Sequence, residues 1–237
     1  MKKKIVFLTG SGISAESGIP TFRMAADSMW ENHDVTKVCT HTGWLADPNY
    51  VNSFYNTLRV KYADVIPNEG HKAIAELAKN ENYEVQVITQ NVDNLHEQAG
   101  STNVLHLHGE IMKCCSSKDV ENGAYWVNLP KEGFGESGLE IPEDYKAGDE
   151  SLLRPYIVFF EEPVPNIAYA INEVSSADIL VVIGTSLNVY PAAGLLNYVK
   201  DDCKIYIIDP ANVEFKGEAF HIKKSASEGM KELIQLL

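Results

Sequence analysis

Short runs of apolar and β-branched residues recur along the chain, each bounded by turn-forming or polar residues. They fall at Lys4–Thr9, Glu84–Thr89, Val104–Leu107, Tyr156–Phe160, Ile179–Ile183 and Lys204–Ile208, and each has the length and composition of a buried strand. Between them the apolar period lengthens to that of a helix. Asn68 suits an N-cap for a helix in which Ala73, Ile74, Leu77 and Ala78 share a face. Ile167–Val174, Ala192–Val199 and Ser227–Leu237 carry similar spacing. Strands alternating with helices predict an α/β fold, a mostly parallel sheet covered by helices on both faces.

Two stretches break that rhythm. Residues 24–63 have aromatic and helical character (Trp30, Trp44, Phe54, Tyr55) without a strand run, and residues 112–150 are rich in Gly, Glu and Pro with little apolar periodicity. Segments this long inside a compact domain signal function or mobility. Both are expected to form a smaller lobe inserted into the sheet domain.

Composition narrows the function. The 237 residues are 45% hydrophobic and 22% charged, with a formal net charge of −13. That balance argues against a nucleic-acid partner, because phosphate contacts need clustered Lys and Arg. No stretch approaches the roughly 18 apolar residues of a membrane span. The N-terminal run IVFLT is too short for a signal peptide's apolar region, so it is expected to be the first strand of a cytoplasmic protein. Four cysteines, Cys39, Cys114, Cys115 and Cys203, form no disulfide framework, and the adjacent pair suits reduced thiols.

The first strand run ends in Gly10-Ser11-Gly12-Ile13-Ser14-Ala15, a G-x-G-x-x-(G/A) pattern in the context that gives it meaning. Gly10 can turn sharply, Gly12 can let the backbone approach a pyrophosphate, and Ala15 can allow close helix packing. A tight strand–helix turn is the plainer alternative. The acidic residue that usually follows about 20 positions on is missing, and Gly18 and Pro20 stop the helix almost at once. Phe22 and Arg23 therefore fall on a loop able to fold over whatever the glycines hold, as an aromatic cover and a guanidinium for phosphate.

With these residues in view, the chain resembles the sirtuins, NAD-dependent protein lysine deacylases. The resemblance rests on GSGISAESGIPTFR at 10–23, TQNVDNLHEQAG at 89–100, LHGE at 107–110, LRPYIVFFEEPVP at 153–165 and IGTSLNVYPAAGL at 183–195. These cover nearly the whole chain in the family's order, and the segment at 24–40 with FYN at 54–56 looks most like the bacterial and mitochondrial-type branch. The resemblance implies a Rossmann-like NAD-binding domain from residues 1–23, 64–111 and 151–237, with 24–63 and 112–150 as the small lobe. It places Gly10, Ser11, Gly12 and Ala15 along the cofactor loop, Phe22 over the reactive sugar carbon and Arg23 near the phosphates. Gln90 would bind the sugar hydroxyls, Asn91 and Asp93 the nicotinamide, and Gly184, Thr185, Ser186 and Asn188 the phosphate and adenine ribose. Asp209 stands where the family often has asparagine and would accept a ribose hydroxyl. His108 matches the catalytic base, with Asn91 beside it in the reacting site.

The implied chemistry suits these residue types. Breaking the nicotinamide–ribose bond builds positive charge on the sugar, so the site should exclude water and hold the acyl oxygen of an acyl-lysine protein or peptide close by. A neutral imidazole then takes a proton from a ribose hydroxyl, and an unperturbed pKa of about 6.5 suits the task. Period-2 alternation cannot choose between His106 and His108. The HG turn at 108–109 favours His108, because the C-terminal end of a strand opens onto the cleft. Asp93, beside a predicted helix start, also suits an N-cap.

The chain departs from the family in three further places. The peptide-pairing segment, usually Phe-Gly-Glu, is Phe160-Glu161-Glu162 here, and the added glutamate is expected to put bulk and charge where a peptide lies, beside Val158 and Phe160. Two separated CxxC pairs hold a structural zinc in most sirtuins, whereas Cys114 and Cys115 stand side by side and 116–155 has no Cys or His. No metal is therefore expected. Relatives that remove succinyl or malonyl groups use Tyr-x-x-Arg. Tyr55 fits as a substrate contact, but position 58 is Leu58 and the arginine comes one step later at Arg59. One step rotates a helical side chain by about 100°, so an uncharged acyl group such as acetyl is expected. ADP-ribosyl transfer or NAD hydrolysis in the same pocket, and a non-catalytic NAD sensor, are the rival readings.

Overall fold

The computed structural model describes residues 2–21 and 34–237, so Phe22 and Arg23 lie outside the described residues. Six parallel strands form the main sheet in the order β3-β2-β1-β7-β8-β9. They are β1 (Lys3–Thr9), β2 (Tyr83–Thr89), β3 (Val104–His106), β7 (Ile179–Ile183), β8 (Lys204–Ile208) and β9 (Phe220–Ile222). Alternation along β1 explains how both faces are covered. Ile5 and Phe7 pack with Ile74 of α4 (Glu69–Leu77) and with Met230 and Leu233 of α7 (Ala226–Leu236). Val6 and Leu8 pack on the other side with Ala170 and Val174 of α6 (Ile167–Ser175) and with Leu195 of the 3-10 helix Ala192–Tyr198. Strands covered on both faces read as continuous apolar runs, which is why five of these were legible; β9, with Phe220 and His221 exposed, offers no such run and was not expected.

Register assembles the site. Thr9 pairs with Thr89 on one side and Ile183 on the other, Thr89 pairs with His106, and Ile183 pairs with Ile208. The residues leaving that rung, Gln90, Gly10, Gly184 and Asp209, therefore emerge together at the C-terminal edge. β1 lies next to β7, with β2 and β3 continuing to one side and β8 and β9 to the other. This is the switch point at which such sheets bind ligands.

A second sheet of three antiparallel strands, β5-β4-β6, comprises β4 (Gly109–Ser116), β5 (Val127–Asn128) and β6 (Leu153–Ile157). The strand expected at Tyr156–Phe160 is thus shifted towards the N-terminus and lies outside the main sheet. Leu153–Ile157 is the fully buried stretch, pairing with β4 through Cys115↔Arg154 and Cys114↔Pro155. β4 mixes Lys, Glu and Cys with apolar residues, so it offers no apolar run to read. Ala192–Val199, expected as an ordinary helix, is a 3-10 helix ending at Tyr198.

Helices α1 (Val35–Val38), α2 (His41–Ala46) and α3 (Pro48–Tyr62) precede the second strand, in agreement with the helical character expected there. Val38, Trp44, Val51, Phe54, Tyr55, Ile157 and Phe159 form one small core. Residues 112–150, despite their lack of periodicity, contribute Leu129, Phe134, Leu139 and Ile141 to another around Cys114 and Leu153. Full burial of side chains of this size stabilises by about 1.5–3 kcal/mol each.

Candidate active site

Glycines bring the β1 and β7 loops into contact. The Gly12 N–H donates to Gly184 O at 2.9 Å and the Gly10 N–H to Ile183 O at 3.0 Å. A Cβ on Gly10 would lie 2.7 Å from Thr185 Cβ, and one on Gly12 would lie 2.5 Å from Gly184 Cα. Gly184 itself is left-handed, with φ +62°. The glycines thus serve loop-on-loop packing as well as any phosphate. After Gly10 the backbone makes two 3-10 turns, Ser11–Ile13 and Ala15–Ser17, closed by Gly18 at φ +94°. Ala15 is exposed and Ile13 is buried, so the close packing expected of Ala15 falls to Ile13. Asn68 ties this loop to α4, donating to Ile13 O at 2.7 Å while accepting from the Gly70 N–H.

Gln90, Asn91 and Asp93 follow β2 and meet that loop. The Gln90 Nε2–H donates to Thr185 Oγ1 at 3.1 Å. The Asn91 Nδ2 group donates to Gly10 O at 3.2 Å and Ser14 Oγ at 3.1 Å, leaving Oδ1 as the amide's remaining capacity. Ser14 passes its own proton to Asp93 Oδ2 at 2.9 Å. Asp93 Oδ1 accepts from the Leu95 N–H at the start of α5 (Leu95–Gln98), so the capping role is present. Burial pushes the Asp93 carboxyl up, against the hydrogen bonds from Leu95 and Ser14. Ser14, which links Asn91 to Asp93, escaped the sequence reading. Ser14 is fully buried, which only the structure reveals, so nothing in the sequence singled it out.

His108 leaves β3 and turns through Gly109. Its Nδ1 lies 3.0 Å from Gln90 O. A carbonyl only accepts, so Nδ1 carries the proton and Nε2 keeps its lone pair. Burial lowers the pKa of the ring, partly opposed by the Gln90 carbonyl. The main-chain carbonyl of His108 accepts from the Val158 N–H at 3.0 Å. Gly109 has φ +85°, and a Cβ there would strike Tyr156 O, so the HG turn requires glycine. His106, which alternation could not separate from His108, is buried and bonded at both ring nitrogens, to Asn91 O and Glu97 Oε1.

The remaining expected residues lie around this cluster. Ser11, Thr185 and Ser186 are half-buried and Asn188 is exposed, on a loop where Leu187 has φ +55°. Asp209 follows β8 and accepts from the Ala211 N–H at 2.8 Å. Tyr55 is 5% exposed, edge-on to Phe54, with its hydroxyl 3.8 Å from Cys39 Sγ. It belongs to the small-lobe core, next to Phe159 rather than to the loops above. Phe160 is exposed, while its main chain pairs with residues 39–41 through Phe160 N–H to Cys39 O and His41 N–H to Phe160 O. Glu161 adopts φ +78°, and its carboxylate accepts from Thr42 N–H and Oγ1–H at 2.9 and 2.8 Å. The glutamate expected to crowd a peptide is thus turned onto the start of α2. Glu162 binds Arg154 with both oxygens, at 2.7 and 3.0 Å, and accepts from the Phe159 N–H.

Comparisons with known proteins show what the whole chain is similar to. The family model described as "Sir2 family" matches residues 10–191. An NAD-dependent protein deacylase of Bacteroides thetaiotaomicron is 51% identical over 99% of this chain and 98% of its own. One from Helicobacter pylori is 45% identical over 99% and 97%. Among solved structures, a Sir2 homologue in complex with NAD superposes with a TM-score of 0.84 at 36% identity, over 99% of this chain and 89% of that one. A mutant Sir2 homologue in complex with ADP ribose gives 0.85 at 36%, over 98% and 91%.

Proposed function

The chain belongs to the Sir2 family, and on that premise we propose how its own residues carry out NAD-dependent protein deacylation. It is an enzyme that uses NAD and acts on acyl-lysine proteins. The residues present fit the cofactor. The parallel strands end at one level, the Gly10–Gly12 and Gly184 loops meet without side chains between them, and the Asn91–Ser14–Asp93 chain stands beside them. When bound, NAD supplies the sugar carbon that accepts the acyl oxygen once nicotinamide leaves.

Gly10, Ser11, Gly12, Ala15 and Gly184 to Ser186 would line the phosphates, with Arg23 near them and Phe22 over the reactive sugar carbon. Asn188 and Asp209 would serve the adenine ribose. Gln90 would hold ribose hydroxyls and Asn91 and Asp93 the nicotinamide amide. His108 would take a ribose-hydroxyl proton at Nε2. The observation that carries this reading is the 3.0 Å bond from His108 Nδ1–H to Gln90 O. It fixes the tautomer with a basic Nε2 and ties the base to the segment that would hold the sugar.

For the substrate, the exposed Phe160 ring and Val158 would flank the acyl-lysine. Strand addition by the segment after Phe160 would fall beyond the turn in which Glu161 is left-handed and the Glu162 N–H donates to Phe159 O, since residues 39–41 take both main-chain groups of Phe160 itself. An uncharged acyl group, acetyl above all, is favoured because Arg59 is committed elsewhere, to Ile111 O, Asn56 Oδ1 and Leu139 O. A metal-free small lobe is favoured by Cys114, which packs inside the apolar cluster against the Arg59 guanidinium. The adjacent free thiols and the net charge of −13 favour a cytoplasmic setting and no nucleic-acid partner.

The test is incubation with NAD, with and without an acetyl-lysine peptide, following nicotinamide and peptide mass. Peptide-dependent nicotinamide release with acyl loss is expected. Release without acyl loss would shift the reading to ADP-ribosyl transfer or NAD hydrolysis, and binding without turnover to a sensor.

A further inference from the structure

Two histidines at alternate positions hold two consecutive carbonyls. His108 Nδ1 lies 3.0 Å from Gln90 O, and His106 Nδ1 lies 2.9 Å from Asn91 O. Their other nitrogens differ. His106 Nε2 sits 2.9 Å from Glu97 Oε1, while the His106 side chain is 6% exposed and that of Glu97 40%. Glu97 lies on α5 and His106 ends β3, so the pair also pins α5 against the sheet behind the segment from Gln90 to Asp93.

We propose that His106 is a positioning residue for Asn91, and that its ion pair with Glu97 makes the grip on the Asn91 carbonyl depend on one proton. The inference rests on the reading of Asn91 as a cofactor contact and deepens it. The remaining polar groups of Asn91 are already restrained. Its N–H donates to Thr89 Oγ1 at 3.0 Å, and its amide donates to Gly10 O and Ser14 Oγ. The next carbonyl, Val92 O, accepts from the Ile111 N–H at 2.8 Å. The His106 bond completes the set, so its loss would free the Asn91–Val92 peptide plane.

Proton counting gives the pH dependence. A carbonyl and an ionised carboxylate both accept only, so satisfying both requires the imidazolium. A neutral ring has one N–H for two acceptors. The carboxylate, the stronger acceptor, takes it, and a lone pair then faces Asn91 O. The groups facing His106 are Glu97 of α5, the main-chain carbonyl of Asn91, Glu110 of β4, Asp93 in the loop and His96 of α5. Lys113 pairs with Glu110 at 2.6 Å. Burial alone would lower the His106 pKa, but Glu97, then Asn91 O and Glu110, raise it above the ordinary imidazole value. The grip therefore persists to higher pH than an ordinary imidazole would allow, and is lost as pH rises further and the proton leaves to solvent.

Glu97→Gln separates the charge from the contact. A glutamine amide can donate to Nε2, which lets a neutral ring keep its Nδ1–H on Asn91 O at every pH. NAD affinity is measured by calorimetry from pH 6 to 10 in the wild type and Glu97→Gln, with the His106 ring followed by NMR in the same samples. The wild type is expected to lose about tenfold in affinity over the range in which His106 deprotonates. Glu97→Gln should show no such loss, with its ring titrating at lower pH. Parallel affinity profiles, or a His106 ring that titrates at the same pH in both proteins, would overturn the proposal. Failure of the deacylase reading would look different, as NAD binding without acyl loss at any pH.

Discussion

His108 Nδ1 donates to the main-chain oxygen of Gln90 at 3.0 Å, so one hydrogen bond both orients the proposed base and ties it to the segment proposed to hold the sugar. In the proposed role the neutral ring is the working form, and burial holds its pKa below the ordinary value. A base of lowered pKa stays active to lower pH, so the acid limb of kcat/KM is expected below about pH 6.5. A limb centred above that value would remove His108 from the role. His108→Ala should lower kcat by about 10²–10⁴-fold while calorimetry finds NAD affinity within a few-fold of wild type.

Gly109→Ala should be far more damaging than Gly133→Ala. Both glycines have φ near +85°, at +85° and +84°. A Cβ at 133 meets nothing within 4 Å, whereas one at 109 strikes Tyr156 O across the β4–β6 pairing. The shared backbone strain is about 1 kcal/mol, and forced displacement of the paired strand adds about 1–3 kcal/mol at 109. Urea unfolding of the two variants measures the difference, and equal losses would show that the turn relaxes freely.

These contacts also mark how far the sequence carries. The central parallel strands were legible because burial on both faces makes them apolar throughout, as in Ile179–Ile183, whereas the exposed edge strand β9 was not. The site segments were legible because Gly10, Gln90, His108 and Gly184 each sit one or two residues past such a run. What escaped reading depends on cross-chain partners. β4 is held by pairing with β6 rather than by its own hydrophobicity, and Glu161 is turned aside by Thr42, 119 residues away in sequence. Ser14, Glu97 and Arg59 acquire their roles only when distant carbonyls and carboxylates reach them.

Arg59 should prove structural rather than acyl-selecting. Its guanidinium is 1% exposed and donates to Ile111 O at 2.7 Å, Asn56 Oδ1 at 2.7 Å and Leu139 O at 3.3 Å, joining α3 to β4 and to the loop carrying Leu139. Asn56 adds a two-way amide contact with Ile141. Arg59→Met orphans these buried carbonyls and should cost about 2–4 kcal/mol of unfolding free energy, while leaving the ratio of acetyl to succinyl hydrolysis unchanged. A chelator should not move the wild-type melting temperature. A swing in acyl preference in the variant, or a drop in Tm on chelation, would assign this region a different role.

His71 should set part of the acid sensitivity of folding. It lies on α4, fully buried and edge-on to His96 at 4.9 Å, with no hydrogen-bond partner at either ring nitrogen among the described residues. Burial depresses its pKa to about 4, while Glu16 and Glu97 oppose the shift. The unfolded chain, titrating near 6.5, therefore binds the proton first. Stability is complete above about pH 6.5, declines as pH falls towards 4 and levels off below, for a total of about 3 kcal/mol. His71→Leu removes this titration. Between pH 7 and pH 4 the wild type should lose about 3 kcal/mol more unfolding free energy than the variant, other groups being common to both. Equal losses in the two proteins would mean that the buried ring gains its proton without unfolding the α4–α5 contact.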